Sequence, residues 1–268
     1  MGFLNSDDYS SIKHVVRTTI DYVMGYLVSD DSYIALPDFT IILFKGKREC
    51  FSSRQYATTA HQNRTRQMKR NTLSIHCAYP RRDAYDALSM PVYESVAYEF
   101  DNAATMADVF CERVTAPDYS RVANPTVTHF EDRVVAVTGA RRVVAFNSGM
   151  DAISSTLLSL TAASANVVTS CHLFGNTYSL LTETLSRFGV EVRLCDLTRP
   201  DALETAIDEH TACLFFEILT NPQLEVSDVR TLAAVACRHR VPLVADTTMI
   251  PFTEFAGRAL GIDIEVVS

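Results

Sequence analysis

The apolar positions of this chain change period at a single turn. Val143, Val144, Ala145 and Phe146 form a short branched run behind Arg142, and after Asn147-Ser148-Gly149 the apolar residues recur at Ala152, Ile153, Leu157 and Leu158, the spacing of one helix face. The pattern predicts a strand, a sharp polar turn and a helix that begins near Met150. Downstream the two periods alternate: strands are expected at 166–169, 190–195, 212–216, 242–245 and 263–267, and helices at 177–188, 200–209 and 227–238. Such alternation predicts an α/β fold, a mostly parallel sheet with helices on both faces.

Upstream of Arg142 the regularity thins. Asn124 followed by Pro125 reads as an N-cap and a first-turn proline, with Val127, Phe130, Val134 and Val137 on one face and Gly139 as the stop. A helix is also expected at 104–113, and 71–100 reads as an arm. Nearer the start, residues 10–28 have helical spacing, 33–44 could be a strand, and 45–70 form a basic linker without periodicity. Residues 1–67 are expected to be dispensable to the fold that follows.

Composition narrows the class. Nearly half of the 268 residues are apolar, enough to bury a core. No apolar run approaches the roughly 20 residues that span a bilayer. The N-terminus has no basic stretch leading into a hydrophobic one, so no secretory signal is read there. Residues 1–70 carry ten Lys plus Arg against seven Asp plus Glu, whereas 71–268 carry fourteen against twenty-five. An acidic body of this kind is a poor nucleic-acid binder. The seven scattered cysteines lack a CxxC or a His partner at metal spacing, which points to a reducing cytoplasm and excludes a zinc framework. Lysine occurs at 13, 45, 47 and 69 alone.

Parallel sheets bind ligands at the carboxyl ends of their strands. The residues expected there are Asn147-Ser148-Gly149; Cys171, His172, Phe174, Gly175 and Asn176; Glu217 with Asn221-Pro222; Asp246-Thr247-Thr248; and Ser268. A turn into a helix N-terminus binds anions through free N–H groups and the helix dipole. An anion cradle, a flat aromatic, an amide and a carboxylate on one edge suit a phosphorylated aromatic cofactor. Pyridoxal 5′-phosphate (PLP) needs these parts: donors for phosphate, a ring to stack on, an amide for the phenolic oxygen and a carboxylate for the pyridine nitrogen. A dinucleotide fits less well, because no G-x-G-x-x-G follows a strand. Each residue alone has a structural reading as well: Phe174 as core, Asn221-Pro222 as a turn, Asp246 as a helix cap.

Taken together, Tyr119-Ser-Arg-Val-Ala-Asn-Pro-Thr126, Ser148-Gly-Met150, Leu173-Phe-Gly-Asn-Thr177, Glu217 with Asn221-Pro222, Asp246-Thr-Thr248 and Gly261-Ile-Asp-Ile264 resemble the PLP-dependent enzymes of cysteine and methionine metabolism. The run from Leu173 to Ser179 and the closing Gly-Ile-Asp-Ile-Glu-Val-Val-Ser look most like O-acetylhomoserine sulfhydrylases within that family. The resemblance implies the large domain of the aspartate-aminotransferase-like type I fold. It implies that Gly149, Met150 and Ser268 hold the phosphate, that Phe174 stacks on the ring, and that Asn221 meets the phenolic oxygen. Asp246, with Thr248 beside it, would meet the pyridinium, and Tyr119 and Arg121 would reach the cofactor of a neighbouring subunit in a dimer or tetramer.

On the same footing the chain divides into an N-terminal extension (1–70), an arm and subunit-interface segment (71–130) and an incomplete PLP-binding large domain (131–268), with the C-terminal domain absent. The reaction implied is γ-replacement on O-acetylhomoserine to give homocysteine; cystathionine γ-synthase or γ-lyase chemistry is the alternative. The lysine that would hold PLP covalently would follow Ser268, and 70–268 contain no other. The chain is therefore expected to lack turnover alone, either as a non-catalytic remnant or as one part of a split enzyme completed by a second chain. Three other polar residues are set aside: Cys171 and His172 as ordinary packing, and Glu265 as an exposed-edge or paired charge.

Overall fold

Phe215 and Phe216 are consecutive and both fully buried, so the strand that carries them has no solvent face. In this computed structural model, which describes residues 40–44, 69–77, 85–111, 113–255 and 257–268, that strand lies inside a seven-stranded sheet. The strands are β1 (Thr40–Phe44), β2 (Val143–Phe146), β3 (Asn166–Ser170), β4 (Glu191–Cys195), β5 (Thr211–Glu217), β6 (Leu243–Asp246) and β7 (Ile264–Val267). Their order in space is β2-β1-β7-β6-β5-β3-β4. β1 runs antiparallel to β2 and β7, and the other pairings are parallel.

The helices are α1 (Arg70–His76), α2 (Ala103–Phe110), α3 (Pro125–Thr138), α4 (Gly149–Leu160), α5 (Gly175–Ser179), α6 (Pro200–Ala206), α7 (Val229–His239) and α8 (Gly257–Leu260). The molecule divides after Gly139 into two compact units, the sheet with β1 in one and α1, α2 and α3 in the other. Within the sheet unit, alternate strand residues feed two cores. Val167, Phe215, Val244 and Val266 pack with Ile153 and Leu157 of α4 and with Leu181 and Leu185. Val168, Leu214, Phe216 and Leu243 pack with Leu203 of α6 and with Leu232 and Val235 of α7. The expected two-sided, mostly parallel sheet is what forms.

Element ends shift where side chains intervene. The helix expected at 177–188 starts at Gly175 and passes after Ser179 into a π turn, Leu180–Thr184, and a 3₁₀ turn, Leu185–Phe188. It stops at Gly189, whose φ of 79° suits a residue without Cβ. α6 ends at Ala206 rather than 209 because Asp208 is drawn away: its carboxylate accepts from Asn166 Nδ2 at 2.8 Å and from Arg193 at 2.7 Å. α7 begins after Asp228, whose side chain accepts the Thr231 N–H at 3.2 Å.

In the other unit, Asn124 caps α3 through the Thr126 N–H at 2.8 Å, and Gly139 stops it at φ 70°. The arm expected at 71–100 contains an unforeseen helix, α1, whose Leu73 is buried. The arm is also bonded to α3, since Asn124 Nδ2 donates to the Tyr93 carbonyl and the Tyr93 N–H donates to Thr126 Oγ1.

Thr40–Phe44 lies upstream of the arm, in the stretch expected to be dispensable, yet it is a strand inside the sheet. Placing it there gives β2 its only strand partner among the described residues. The helix expected at 10–28 and the basic linker expected at 45–70 lie outside the described residues, save for Lys69 and Arg70 at the linker's end, where Arg70 begins α1.

Candidate functional site

Period two decides what the sheet presents at its carboxyl edge. Phe146, Val167, Phe215, Val244 and Val266 belong to or pack against the core beneath α4. Two residues further along β3, β5 and β6, the same face carries Thr169, Glu217 and Asp246. Polar residues from three distant stretches thus lie on one face of one edge.

At β2 the chain turns through Asn147 and Ser148 into the 12-residue helix α4. Ser148 accepts the Asp151 N–H at 3.2 Å. Among the described residues no acceptor takes the amides of Gly149 and Met150, which stand at the positive end of the helix dipole. Met150 Sδ lies 3.9 Å from Thr177 Oγ1, which joins this turn to α5. Phe174, directly before α5, is an exposed aromatic residue, 41% accessible.

Glu217 organises the middle of the edge. Its side chain is buried, with Oε1 accepting the Phe174 N–H at 2.6 Å and Oε2 the Asn221 N–H at 3.2 Å. Asp246 is its register partner on β6. Burial pushes both carboxyls above the ordinary range. For Glu217 the two amides oppose the rise and neighbouring Asp246 adds to it; for Asp246 the Thr248 hydroxyl and N–H oppose it. Thr248 donates its N–H to Asp246 Oδ1 at 2.9 Å, and Thr248 Oγ1 accepts the Ser268 N–H at 3.0 Å. Asp246, Thr248 and Ser268 are therefore linked in series.

The residues fit a phosphorylated pyridine. Orphan amides at a helix start suit phosphate, and an exposed ring suits stacking. A carboxyl whose anionic form is disfavoured by burial gains most from a cationic ring nitrogen. Tyr119 and Arg121 lie in the other unit, where the guanidinium sits 5.1 Å from the Tyr119 ring centroid.

One residue was missed from the sequence as part of this edge, Thr169, whose buried Oγ1 has no hydrogen-bond partner among the described residues; Glu217 was expected at the edge but without a role of its own. Counting in twos from Phe215 and Val167 would have placed both on the α4 face. His172 is not simple packing, since Nδ1 lies 2.6 Å from Glu225 Oε2. No cluster of metal ligands occurs among the described residues.

Glu265 corrects an expectation. It is neither on an exposed edge nor held by a charge alone: it is buried on the opposite face, its carboxyl bonded to the backbone amides of Arg258 and Gly257. Burial outweighs those bonds and raises its pKa to about 7. A carboxyl raised in the folded state stabilises the fold fully below the unfolded value of 4.5 and loses that contribution as pH climbs to about 7. Unfolding free energy should therefore fall over this window by up to about 3 kcal/mol, and Glu265→Gln should flatten the slope. Urea titrations at several pH values check this; equal slopes in both proteins would refute it.

The sequence pattern of the Cys/Met metabolism PLP-dependent enzyme family matches residues 71–268. The chain is 35% identical over 198 residues to the O-acetyl-L-homoserine sulfhydrylase of Corynebacterium glutamicum, covering 74% of this chain and 45% of that protein. It is 33% identical over 201 residues to the L-methionine gamma-lyase of Fusobacterium nucleatum, covering 74% and 50%. A solved structure from Campylobacter jejuni, described as an O-acetylhomoserine (thiol)-lyase with N′-pyridoxyl-lysine-5′-monophosphate, superposes with a TM-score of 0.72 at 32% identity, covering 75% of this chain and 50% of that one. The chain spans about half the length of the relatives it matches.

Proposed function

We propose, for a chain that belongs to the Cys/Met metabolism PLP-dependent enzyme family, that the carboxyl edge of its sheet is a PLP site serving γ-replacement on O-acetylhomoserine. What supports this reading is a chain of contacts at one sheet edge: Glu217, register partner of Asp246, takes the N–H groups of Phe174 and Asn221, and Thr248 links Asp246 to Ser268. The amides of Gly149 and Met150 take the phosphate, with Ser268 beside them. Phe174 stacks on the ring, Asn221 donates to the phenolic oxygen, and Asp246 holds a proton on the pyridine nitrogen, braced by Thr248. When bound, the cofactor supplies an electron sink for bond breaking at an amino-acid α-carbon. Tyr119 and Arg121 contribute to the site of a neighbouring copy in a homo-oligomer, in a cytoplasmic setting that suits the free cysteines.

A second reading, binding without turnover by these residues alone, is favoured by the absence of lysine from 70–268, because arginine cannot replace it as a nucleophilic amine. That amine would then come from outside residues 70–268. Equilibrium dialysis with PLP tests the shared premise. The parent chain should bind, and Asp246→Asn should weaken binding about 10-fold by removing a charge-assisted hydrogen bond. Asp201→Asn, exposed on α6, should leave it unchanged. Equal affinity of the parent and Asp246→Asn would overturn the assignment.

A further inference from the structure

Glu217 touches none of the groups assigned to the cofactor except through the main chain. It nevertheless joins two of them. Phe174 lies after β3 and Asn221 after β5, in loops that share no strand, yet each gives its backbone N–H to a different oxygen of this one buried carboxylate. The carboxylate is anchored from behind, since the Glu217 carbonyl accepts the Ser227 hydroxyl at 2.8 Å and the next residue, Ile218, donates its N–H to the Asp246 carbonyl at 3.0 Å. The ring of Phe174 and the side-chain amide of Asn221 are thus spaced by a single planar group seated on the strand pair that also carries Asp246.

Burying a carboxylate beside a second carboxyl is costly. A structure that needed only to close two loops could do so with a neutral group. An anion with two oxygens holds both N–H groups at once, in fixed geometry, with charge-assisted strength. We propose that Glu217 is a positioning residue that sets the separation of the stacking ring and the phenolic-oxygen amide; this rests on reading the edge as a PLP site.

The test uses the full chain and pyridoxine 5′-phosphate, which has the ring and phosphate of PLP but no aldehyde. In Glu217→Gln one of the two N–H groups faces a donor. The Phe174 and Asn221 amide protons, followed by nitrogen-edited NMR, should both lose their downfield shift and exchange about 10-fold faster. Affinity should fall about 10-fold, and Asn221→Ala should cost less in the Glu217→Gln background than in the parent, because a displaced amide has less to lose. A purely structural role would lower the melting temperature and leave the two penalties additive. Unchanged amide signals, or additive penalties, would overturn the proposal. If the parent binds no pyridoxine 5′-phosphate, the cofactor reading fails, and responding amides then reduce Glu217 to a structural clamp.

Discussion

Phe215→Ala is expected to lower the unfolding free energy by about 3–5 kcal/mol, a large share of what holds a domain of this size together. Phe215 is fully buried in the core beneath α4, among side chains drawn from several strands and from the helices that cover them. Those elements are fixed by their own hydrogen bonds, so they cannot collapse into the space left behind, and the cavity adds to the lost transfer energy. Phe215→Leu, which keeps most of the volume, should cost roughly a third as much. The midpoint of urea unfolding reads both. A loss under about 1.5 kcal/mol for the alanine variant would mean that this core is far less tightly packed than buried side chains normally are.

Ile42→Pro should be comparably damaging, for a backbone reason. Ile42 pairs with Val144 on one side and Val266 on the other, so β1 is an interior strand. Proline there deletes a ladder N–H and pushes its ring into a neighbouring strand, at a cost of about 3 kcal/mol or more. The effect should spread to α4, because β2 is tied to the sheet through β1. Far-UV circular dichroism and urea titration would register the loss. A chain beginning at Met68 tests the same strand. It should unfold far more readily than the full chain, and equal stability would return residues 1–67 to the status of a dispensable extension.

What could be read from the sequence, and what could not, follows from the range of the interactions. Periodicity is local, so the strands at β2 to β7 and the helix at α4 were placed to within a residue or two. Asn124 and Gly139 bracketed α3 because caps act within one turn. Helix α1 went unseen: a single turn or two with one buried leucine carries little pattern. β1 was visible as a possible strand, but a short apolar run does not reveal its neighbours, and its partners lie far along the chain. The candidate site was legible only as a set of strand-end residues. The bridge from Glu217 to Phe174 and Asn221 was not, since both bonds use backbone amides, which leave no trace in residue type.

The position of β1 also bears on how the chain reaches its fold. A segment made early has to wait for β7, made near the end of the described chain, before its second edge is covered. Pairings between such distant stretches close slowly, and an unpaired Thr-Ile-Ile-Leu-Phe run is a seed for association between chains during that delay. Lys45, Lys47 and Arg48 follow it immediately and Asp38 stands just ahead. Flanking charges of this kind act as gatekeepers, so neutralising the three cations should raise aggregation during synthesis more than it alters the finished protein.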